Sequence, residues 1–156
     1  MAAAGVMRIG LISDTHGLLR PQALAALAGV DRIIHAGDIG NAGILEALAA
    51  IAPVDAVRGN NDTGPWAAAI APSRTLEFGG IRIFLLHDIN ELKGRMPQVE
   101  VVIAGHTHRP LVHEQDGVLR LNPGSAGPRR FRLPVSVGLL EIKDGRATGA
   151  ILALAL

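Results

Sequence analysis

Four short polar clusters in this sequence contain side chains that bind divalent metal ions, and each cluster follows an apolar segment. They are Asp14-Thr15-His16, Gly37-Asp38, Gly59-Asn60-Asn61-Asp62 and Gly105-His106-Thr107-His108. A lone histidine, His87, ends a fifth apolar segment in the same way. Carboxylate, amide and imidazole groups bind Mn, Fe, Ni or Zn, and the chain has no cysteine to add a thiolate. The clusters therefore predict a metal site built from oxygen and nitrogen ligands.

One residue separates the two histidines of the last cluster. In an extended segment such residues point to the same side, so we expect His106 and His108 to face one site. The same spacing relates Asp14 to His16. Two imidazoles rarely hold a metal ion alone, and further ligands must therefore come from the other clusters.

The number of candidate ligands indicates two ions rather than one. The set contains two carboxylates, one amide and four imidazoles. Two ions about 3.5–4 Å apart could clamp the oxygens of an in-line displacement and acidify a bridging water. A carboxylate between the ions would offset their repulsion, and Asp38 is the candidate because it lies in the middle of the set. A neutral ligand at Asn60 would keep the site positive, as a phosphate substrate requires.

Alternating strands and helices in the first 60 residues must position these clusters. Apolar segments predict strands at residues 6–13, 33–36 and 54–58, and helices at 21–28 and 42–50. This order is typical of a parallel sheet. If the strands that precede the clusters share one sheet, all five clusters meet at its carboxyl edge. His35 lies inside the second strand, so we interpret it as a core or supporting histidine rather than a ligand.

The second half of the chain predicts strands joined in part by hairpin turns, and its apolar segment 101–104 predicts a buried strand of a parallel sheet. Gly79-Gly80 separates two strand-like segments and indicates a hairpin. The predicted strands are 74–78, 81–86, 101–104, 111–115, 118–121, 135–142 and 146–153, with a short helix near 91–96. Together the segments predict one α/β domain over residues 1–156, with two packed sheets and helices outside.

Composition excludes several classes of protein. The chain has 156 residues, of which 49% are apolar and 19% charged, and this balance argues against disorder. Its formal net charge of +1 gives no case for a nucleic-acid or membrane surface by bulk electrostatics. No apolar run reaches membrane length, and the N-terminus is too short for a secretory signal, so we expect a cytoplasmic protein.

The order of the motifs resembles the calcineurin-like metallophosphoesterases. D-x-H, G-D, G-N-x-D, a lone His and G-H-x-H are each weak signals, but five of them in this order are specific. The short chain, the Asn122-Pro123-Gly124-Ser125 loop and Pro128-Arg129 resemble the small prokaryotic phosphodiesterase branch of that family, the YfcE type. The resemblance runs from Met7 to about Ile142. It implies a four-layer α-β-β-α sandwich of two mixed β-sheets with a di-metal centre at one end.

The resemblance also implies which residues bind each ion. The first ion would be bound by Asp14, His16, Asp38 and His108. The second would be bound by Asp38, Asn60, His87 and His106, with Asp38 as the bridge. The catalytic residues among them would be Asp38, Asn60, His106 and His108. We expect two divalent ions in each subunit. Mn is the expected metal, and Ni, Fe and Zn are the alternatives.

The chain departs from the family pattern at two positions. Asn61 stands where many members have a histidine that helps to protonate the leaving group, and Asp88 stands where the residue after the lone His is usually Gly. Protonation of a poor leaving group therefore lacks an assigned donor. Candidate substrate-binding residues are Asn61, Asp62, Asn122, Ser125 and Arg129. For Asn122, Ser125 and Arg129 a purely structural or solvated turn is an equal alternative, and for Asp62 the alternative is a role that supports the metal ligands.

These features predict a divalent-metal-dependent phosphodiesterase that cleaves small phosphate diesters by attack of a metal-bridging hydroxide. A phosphomonoesterase on the same di-metal centre is one alternative, and a non-catalytic scaffold of the same fold is another. The intact set of ligand positions favours an enzyme over the scaffold. A small domain with 3% aromatic residues makes a homo-oligomer, a dimer or a tetramer, plausible.

Overall fold

Two mixed β-sheets of five strands each form the core of the structure, a computed structural model that describes residues 5–156. The first four residues of the predicted domain 1–156 lie outside the described part. The first sheet contains β1 (Met7–Ile12), β2 (Arg32–His35), β3 (Val54–Ala56), β9 (Ser136–Lys143) and β10 (Arg146–Ala153). The second contains β4 (Ser73–Phe78), β5 (Ile81–Leu86), β6 (Val101–Ile103), β7 (Leu111–Gln115) and β8 (Val118–Asn122).

Both sheets combine three parallel strands with antiparallel strands, at one edge of the first sheet and at both edges of the second. The strand order of the first sheet is β10-β9-β1-β2-β3, in which β1, β2 and β3 run parallel. The order of the second is β4-β5-β6-β8-β7, in which β5, β6 and β8 run parallel. The polar clusters follow strands of both sheets, so they do not all lie at the carboxyl edge of a single sheet. Instead, the carboxyl ends of two parallel units meet, and they bring the clusters together.

Alternation along the strands builds the layers. Ile9 and Leu11 of β1 are fully buried against the second sheet, where Ile83 and Leu85 of β5 meet them. Burying one such side chain contributes about 1.5–3 kcal/mol. Ile12 points the other way, into a second apolar cluster beneath the helices. β1 is therefore buried on both faces, as a central parallel strand should be.

Helices cover the outer face of the first sheet, as predicted. They are α1 (Pro21–Ala26), α2 (Ala42–Ala49) and the single-turn α3 (Pro65–Ala68). Pro21 occupies the first turn of α1, and Asn41 caps α2 by accepting a hydrogen bond from the Ile44 N–H at 3.3 Å. A Cβ at Gly10 of β1 would lie 2.5 Å from Leu27 Cδ2, so the glycine allows the segment after α1 to approach the sheet.

The outer layer on the second sheet is thin. The predicted helix near 91–96 is instead a 3-10 helix, Ile89–Leu92, whose apolar side chains pack on Val102 and Ala104. Asp88 caps it by accepting a hydrogen bond from the Asn90 N–H at 3.0 Å. The predicted four-layer sandwich of two mixed sheets is confirmed, with this turn and the loop after it as the fourth layer. Within residues 5–156 no helix is long and apolar enough to span a membrane.

Candidate metal centre

Carboxylate and imidazole side chains converge where the two sheets end. Ligand atoms of Asp14, His16 and His108 lie within 4.8 Å of one another, and so do those of Asp14, Asp38 and His87. Asp14, Asp38, His87 and His108 are buried, with 0% to 3% of their surface exposed. A group of carboxylates and imidazoles this close and this buried has the composition of a metal site.

Two carboxylate oxygens lie at the centre of the cluster. Asp38 Oδ2 is 3.2 Å from His87 Nε2 and 3.7 Å from His16 Nε2. Asp14 Oδ1 is 3.4 Å from His108 Nε2 and 3.8 Å from both His16 Nε2 and His87 Nε2. Each carboxylate therefore lies between imidazoles that come from different sheets.

The four imidazoles form two pairs. The ring centroids of His16 and His108 are 5.5 Å apart, and those of His87 and His106 are 5.2 Å apart. Asp38 Oδ2 contacts one member of each pair, His16 and His87. Asp14 Oδ1 likewise contacts both pairs, so the arrangement has two halves with two carboxylates between them.

Four buried atoms of the cluster have no hydrogen-bond partner in the described residues: Asp14 Oδ1, His16 Nε2, His87 Nε2 and His108 Nδ1. More than about 90% of buried polar groups in proteins are hydrogen-bonded, so four exceptions in one place require an explanation. His87 Nδ1 lies 2.7 Å from the Ala36 carbonyl, to which only an N–H can donate. That bond leaves the Nε2 lone pair facing the cluster, as in metal-bound histidines. The donor set therefore fits divalent ions.

Electrostatics couples His87 to Asp38. Burial alone would lower the pKa of His87, but Asp38, the Ala36 carbonyl and Asp14 raise it to about 9. Burial would raise the pKa of Asp38, but the contact with His87 and the Asn61 N–H lower it to about 2. Without an ion the two side chains form an imidazolium–carboxylate pair, in which a proton holds the place of the cation.

The backbone of the ligand loops is left-handed. Asp14, His16, Asp38, His106 and His108 have φ angles of 54°, 48°, 56°, 72° and 64°. The prediction that His106 and His108 face one site from an extended segment therefore had the wrong geometry, because β6 ends at Ile103 before them. Their approach to the cluster comes from the left-handed turns instead. Such conformations cost energy in residues other than glycine and gather at functional sites.

Hydrogen bonds between the loops hold these turns. The Asp14 N–H donates to the Gly37 carbonyl at 3.0 Å, and the His16 N–H donates to the Asp38 carbonyl at 2.9 Å. Asp14 Oδ2 accepts from the Ser13 hydroxyl at 2.7 Å and from the His106 N–H at 3.1 Å. The loop after β1 is thereby tied to the loops after β2 and β6, so the cluster is organised before any ion enters.

A comparison of the whole chain with known families identifies this arrangement. Residues 7–145 match the model of the calcineurin-like phosphoesterase superfamily domain. The chain belongs to that superfamily. It is 37% identical to a probable metallophosphoesterase of Methanothermobacter thermautotrophicus, over 92% of this chain and 90% of the relative. The predicted family is therefore confirmed.

Two further comparisons concern the small prokaryotic branch. The phosphodiesterase YfcE of Escherichia coli strain K12 is 28% identical, over 87% of this chain and 88% of its own. The solved structure of an archaeal phosphodiesterase superposes with a TM-score of 0.76 and 26% identity, covering 94% of this chain and 100% of that one. The resemblance to the YfcE type, drawn from the motifs, is thus confirmed.

Asn60 lies beside one half of the phosphoesterase centre. It is exposed and lines a cavity of about 420 Å³ together with His87, His106, Asp88 and Arg58. The structure thus brings Asn60 to the His87–His106 pair, as its predicted role in the second ligand set requires. An open cavity at this pair provides room for a substrate next to the exposed ligands.

The Asp62 carboxylate is committed to the backbone. Its oxygens accept hydrogen bonds from the N–H groups of Ile39, Gly40 and Gly59 at 3.1, 3.0 and 2.9 Å, and only 4% of the residue is exposed. A substrate could reach Asp62 only by displacing these bonds, so these contacts favour the supporting role that the sequence left open, and the substrate contact stays a prediction. Asp62 joins the loop after β2 to the loop after β3.

Asn122 and Ser125 are also occupied by internal partners. Asn122 Nδ2 donates to the Gly105 carbonyl at 3.0 Å and to Thr107 Oγ1 at 3.1 Å. Ser125 Oγ donates to the Asp14 carbonyl at 3.1 Å. Both residues are buried, and these contacts position the loops that carry the candidate ligands, as the structural alternative predicts. Asn122 also lines a cavity of about 490 Å³ with Thr107 and Arg109, so the substrate-binding role stays a prediction. The position of the two residues in a Gly/Pro loop could not distinguish a structural role from a substrate contact.

Asn61 supports Asp38. Its N–H donates to Asp38 Oδ1 at 2.9 Å, and its Nδ2 donates to Asp38 Oδ2 at 3.1 Å. Arg129 is exposed and makes no ion pair within residues 5–156. The substrate-binding predictions for Asn61 and Arg129 stay predictions.

Two residues near the centre were not predicted as parts of it. Ser13 orients Asp14 through the 2.7 Å hydrogen bond described above. Asp88 Oδ2 lies 3.7 Å from His106 Nε2 and adds a third carboxylate to this end of the molecule. Asp88 was visible in the sequence as a departure from the family pattern. Ser13 was not, because it continues an apolar strand.

His35 forms a buried network beneath the ligand loops. The Gly37 N–H donates to His35 Nδ1 at 3.0 Å, and His35 Nε2 lies 3.0 Å from Thr15 Oγ1. The Thr15 hydroxyl donates to the Ile39 carbonyl at 2.7 Å, so the oxygen accepts from His35. His35 is a neutral, fully buried histidine that positions two ligand loops, in line with the supporting role predicted for it.

Acidification should therefore destabilise the protein through His35. Burial lowers the pKa of His35 from 6.5 to about 4. Between these pH values the unfolded chain binds a proton that the folded chain does not, so this contribution to stability is complete above pH 6.5 and falls by about 3 kcal/mol towards pH 4. Thermal unfolding of the metal-free protein at several pH values should show a shallower slope in His35→Gln. Equal slopes in the two proteins would contradict the assignment.

Proposed function

We propose that this protein is a divalent-metal-dependent phosphodiesterase with a binuclear centre. The observation that carries the proposal is a group of four buried oxygen and nitrogen atoms around Asp14 and Asp38 that have no hydrogen-bond partner and could bind metal ions. They lie in a chain of the phosphoesterase superfamily. Relatives named phosphodiesterase support the reaction type. Cleavage of a phosphate diester is the chemistry that such a centre and such a family share.

The two halves of the cluster support two ion sites. Asp14, His16, Asp38 and His108 would hold the first ion, and Asp38, Asn60, His87 and His106 would hold the second. We propose Asp38 as the bridge from the family resemblance, and the contacts of its Oδ2 with one imidazole of each pair support this. Asp14 Oδ1 also contacts both pairs, so the contacts alone do not choose between the two carboxylates. When bound, two divalent ions supply charge that offsets the phosphate oxygens and lower the pKa of a water between them.

Other residues of the chain hold the proposed ligands in position. Asn61 holds both oxygens of Asp38, so the carboxylate cannot rotate away from His16 and His87. Asn122 fixes the turn between His106 and His108 through Thr107. Asn60 and His106 are the least buried of the proposed ligands and border the open cavity, where a phosphate diester has access. These contacts preorganise the site and limit reorganisation during reaction.

The leaving group should control the rate strongly. Asn61 occupies the place of a proton-donating histidine and directs its N–H groups to Asp38, so no donor is assigned to the leaving oxygen. Diesters with acidic leaving groups, such as nitrophenyl esters, should react much faster than alkyl esters. Turnover measured along a series of substituted phenyl diesters checks this. A rate that does not vary with leaving-group pKa would show that another group donates the proton.

Metal reconstitution tests the proposed function. Purified protein is freed of metal, its metal content is measured, and Mn, Ni, Fe or Zn is added before assay with bis-p-nitrophenyl phosphate. We expect two ions per chain and metal-dependent turnover. Absence of bound metal and of turnover with every ion would overturn the proposal and favour the scaffold alternative. Faster hydrolysis of p-nitrophenyl phosphate than of the diester would favour a phosphomonoesterase.

Three finer features remain part of the proposal. Manganese is the proposed native metal, since the donor set of carboxylates, an amide and imidazoles suits it. The cytoplasm is the proposed location, for a chain that has no cysteine. A homo-oligomer, a dimer or a tetramer, is the proposed assembly. Elemental analysis of the protein purified from its native cells would identify the metal. Cell fractionation would test the location, and analytical ultracentrifugation would measure the number of subunits.

A further inference from the structure

A solvent-exposed phenylalanine stands among arginines in the loop between β8 and β9. Phe131 is 89% exposed, and Arg129, Arg130 and Arg132 flank it. The chain has only three phenylalanines and one tryptophan, so an aromatic ring in water is not a surplus of the core. Phe131 also has a φ angle of 53°, a conformation that bulky residues rarely adopt. Folding alone gives no reason for this residue here.

The loop lies against the metal-binding loops. On one side, the Ala126 N–H donates to the Ser13 carbonyl at 3.0 Å, and a Cβ at Gly127 would overlap the Thr15 carbonyl. On the other side, Leu133 lines a cavity together with Thr107 and Arg109. Residues 128–132 therefore span from the Asp14 loop to the loop that carries His106 and His108. Phe131 lies in this connection, four residues after Gly127 and two before Leu133.

The positive charge of this loop is not neutralised. Within residues 5–156, Arg109, Arg129, Arg130 and Arg132 make no ion pair. Arg8 pairs with Glu141, Arg32 and Arg74 with Asp55, and Arg82 with Glu100, and the other described arginines make no ion pair. Residues 128–133 carry three arginines and no acidic residue, so this loop has a positive charge of its own. Unpaired guanidinium groups attract and orient phosphate.

We infer that the substrate is a phosphodiester that carries a nucleobase, which stacks on Phe131 while the neighbouring arginines attract the phosphate. This inference rests on the proposed phosphodiesterase function. An exposed aromatic ring beside guanidinium groups is the combination with which proteins hold single nucleotides, because every base has a π-face and every nucleotide an anion. The loop is short, so the site takes one or two nucleotides rather than a long duplex.

A matched pair of substrates tests the inference. Thymidine 5′-(p-nitrophenyl phosphate) and methyl p-nitrophenyl phosphate have the same leaving group and the same charge, and only the first has a base. With the metal-loaded enzyme we expect kcat/KM to be about tenfold higher for the thymidine ester, which is the typical contribution of one base–aromatic stack to binding. Phe131→Ala should remove this preference through KM, and Phe131→Trp should keep it. Thymidine 5′-monophosphate should inhibit the wild type more strongly than methyl phosphate does.

Control variants separate stacking and charge from general effects. Met96→Ala removes another apolar side chain, which is 43% exposed and lies outside the loop. This variant should leave kcat/KM unchanged for both esters. Arg129→Gln with Arg130→Gln should raise KM for both anionic esters. Arg146→Gln should not, because Arg146 begins β10 at the end of the first sheet away from the centre.

The outcomes distinguish the two proposals. Equal kcat/KM for the two esters, or an equal loss on both in Phe131→Ala, would overturn the nucleobase inference while the phosphodiesterase function stands. No turnover of either ester with any metal would overturn the function itself. A preference for the thymidine ester that Phe131→Ala retains would also overturn the assignment to this ring.

Discussion

Asp38→Asn is expected to lose on the order of 10³-fold in kcat/KM for a nitrophenyl diester, because an amide cannot offset two cations. Asp38 Oδ2 lies between His87 and His16, and its pKa of about 2 keeps the carboxylate charged in the fold. Without that charge, the two ions would repel each other at full strength. Elemental analysis of the variant should show at least one ion fewer than wild type.

Three further variants complete this experiment. Asp55→Asn removes a carboxylate that pairs with Arg32 and Arg74, and it should keep full metal content. His106→Ala and His108→Ala should each lose one ion, and a different one, if the two imidazole pairs serve two sites. An Asp38→Asn protein with two ions and full turnover would remove the bridge from the proposal.

Gly59→Ala should damage the centre without removing any ligand. A Cβ at Gly59 would overlap the backbone N and the Oδ1 of Asp38, so one of the two loops must move. A shift of about 1 Å in a catalytic group can cost about 10²-fold in rate, and overpacking of this kind costs about 1–3 kcal/mol in stability. Steady-state kinetics and chemical unfolding of the metal-free protein measure the two effects.

Gly43→Ala is the matched control for Gly59→Ala. Gly43 lies in α2, and a Cβ there meets only Asn41 Oδ1, at 3.0 Å. Gly43 is in the first turn of α2, and the flexible Asn41 side chain must shift slightly to admit the Cβ. This variant should therefore be as active as wild type, with at most about 1 kcal/mol of change in stability. If Gly59→Ala behaved like Gly43→Ala, the packing of Gly59 on Asp38 would not matter to the reaction.

The meeting of the clusters could be predicted from the sequence for a simple reason. Parallel strands end at the same edge, so apolar segments followed by Asp14 and Asp38 had to place both aspartates together. The approach of His87 to Asp38 at 3.2 Å required more, because His87 follows a strand of the other sheet. Only the family resemblance, and not the periodicity, carried that information.

The hydrogen-bond partners of the supporting residues could not be predicted, because they depend on contacts between distant loops. Asp62 accepts hydrogen bonds from Ile39 and Gly40, more than 20 positions away, and Asn122 donates to Gly105. A polar residue in a turn looks the same in sequence whether it faces a substrate or a backbone N–H. The thin layer over the second sheet is a similar case, since a capping Asp88 starts a 3-10 turn as readily as a helix.

The left-handed backbone of the ligand loops sets activity against stability. At Asp14, His16, Asp38, His106 and His108 the fold alone would favour glycine, by up to about 1 kcal/mol at each position. Chemistry needs a carboxylate or an imidazole there instead. A screen that rewards only thermal resistance of the metal-free chain would therefore enrich replacements at the centre itself, and the most stable descendants of this enzyme would be inactive.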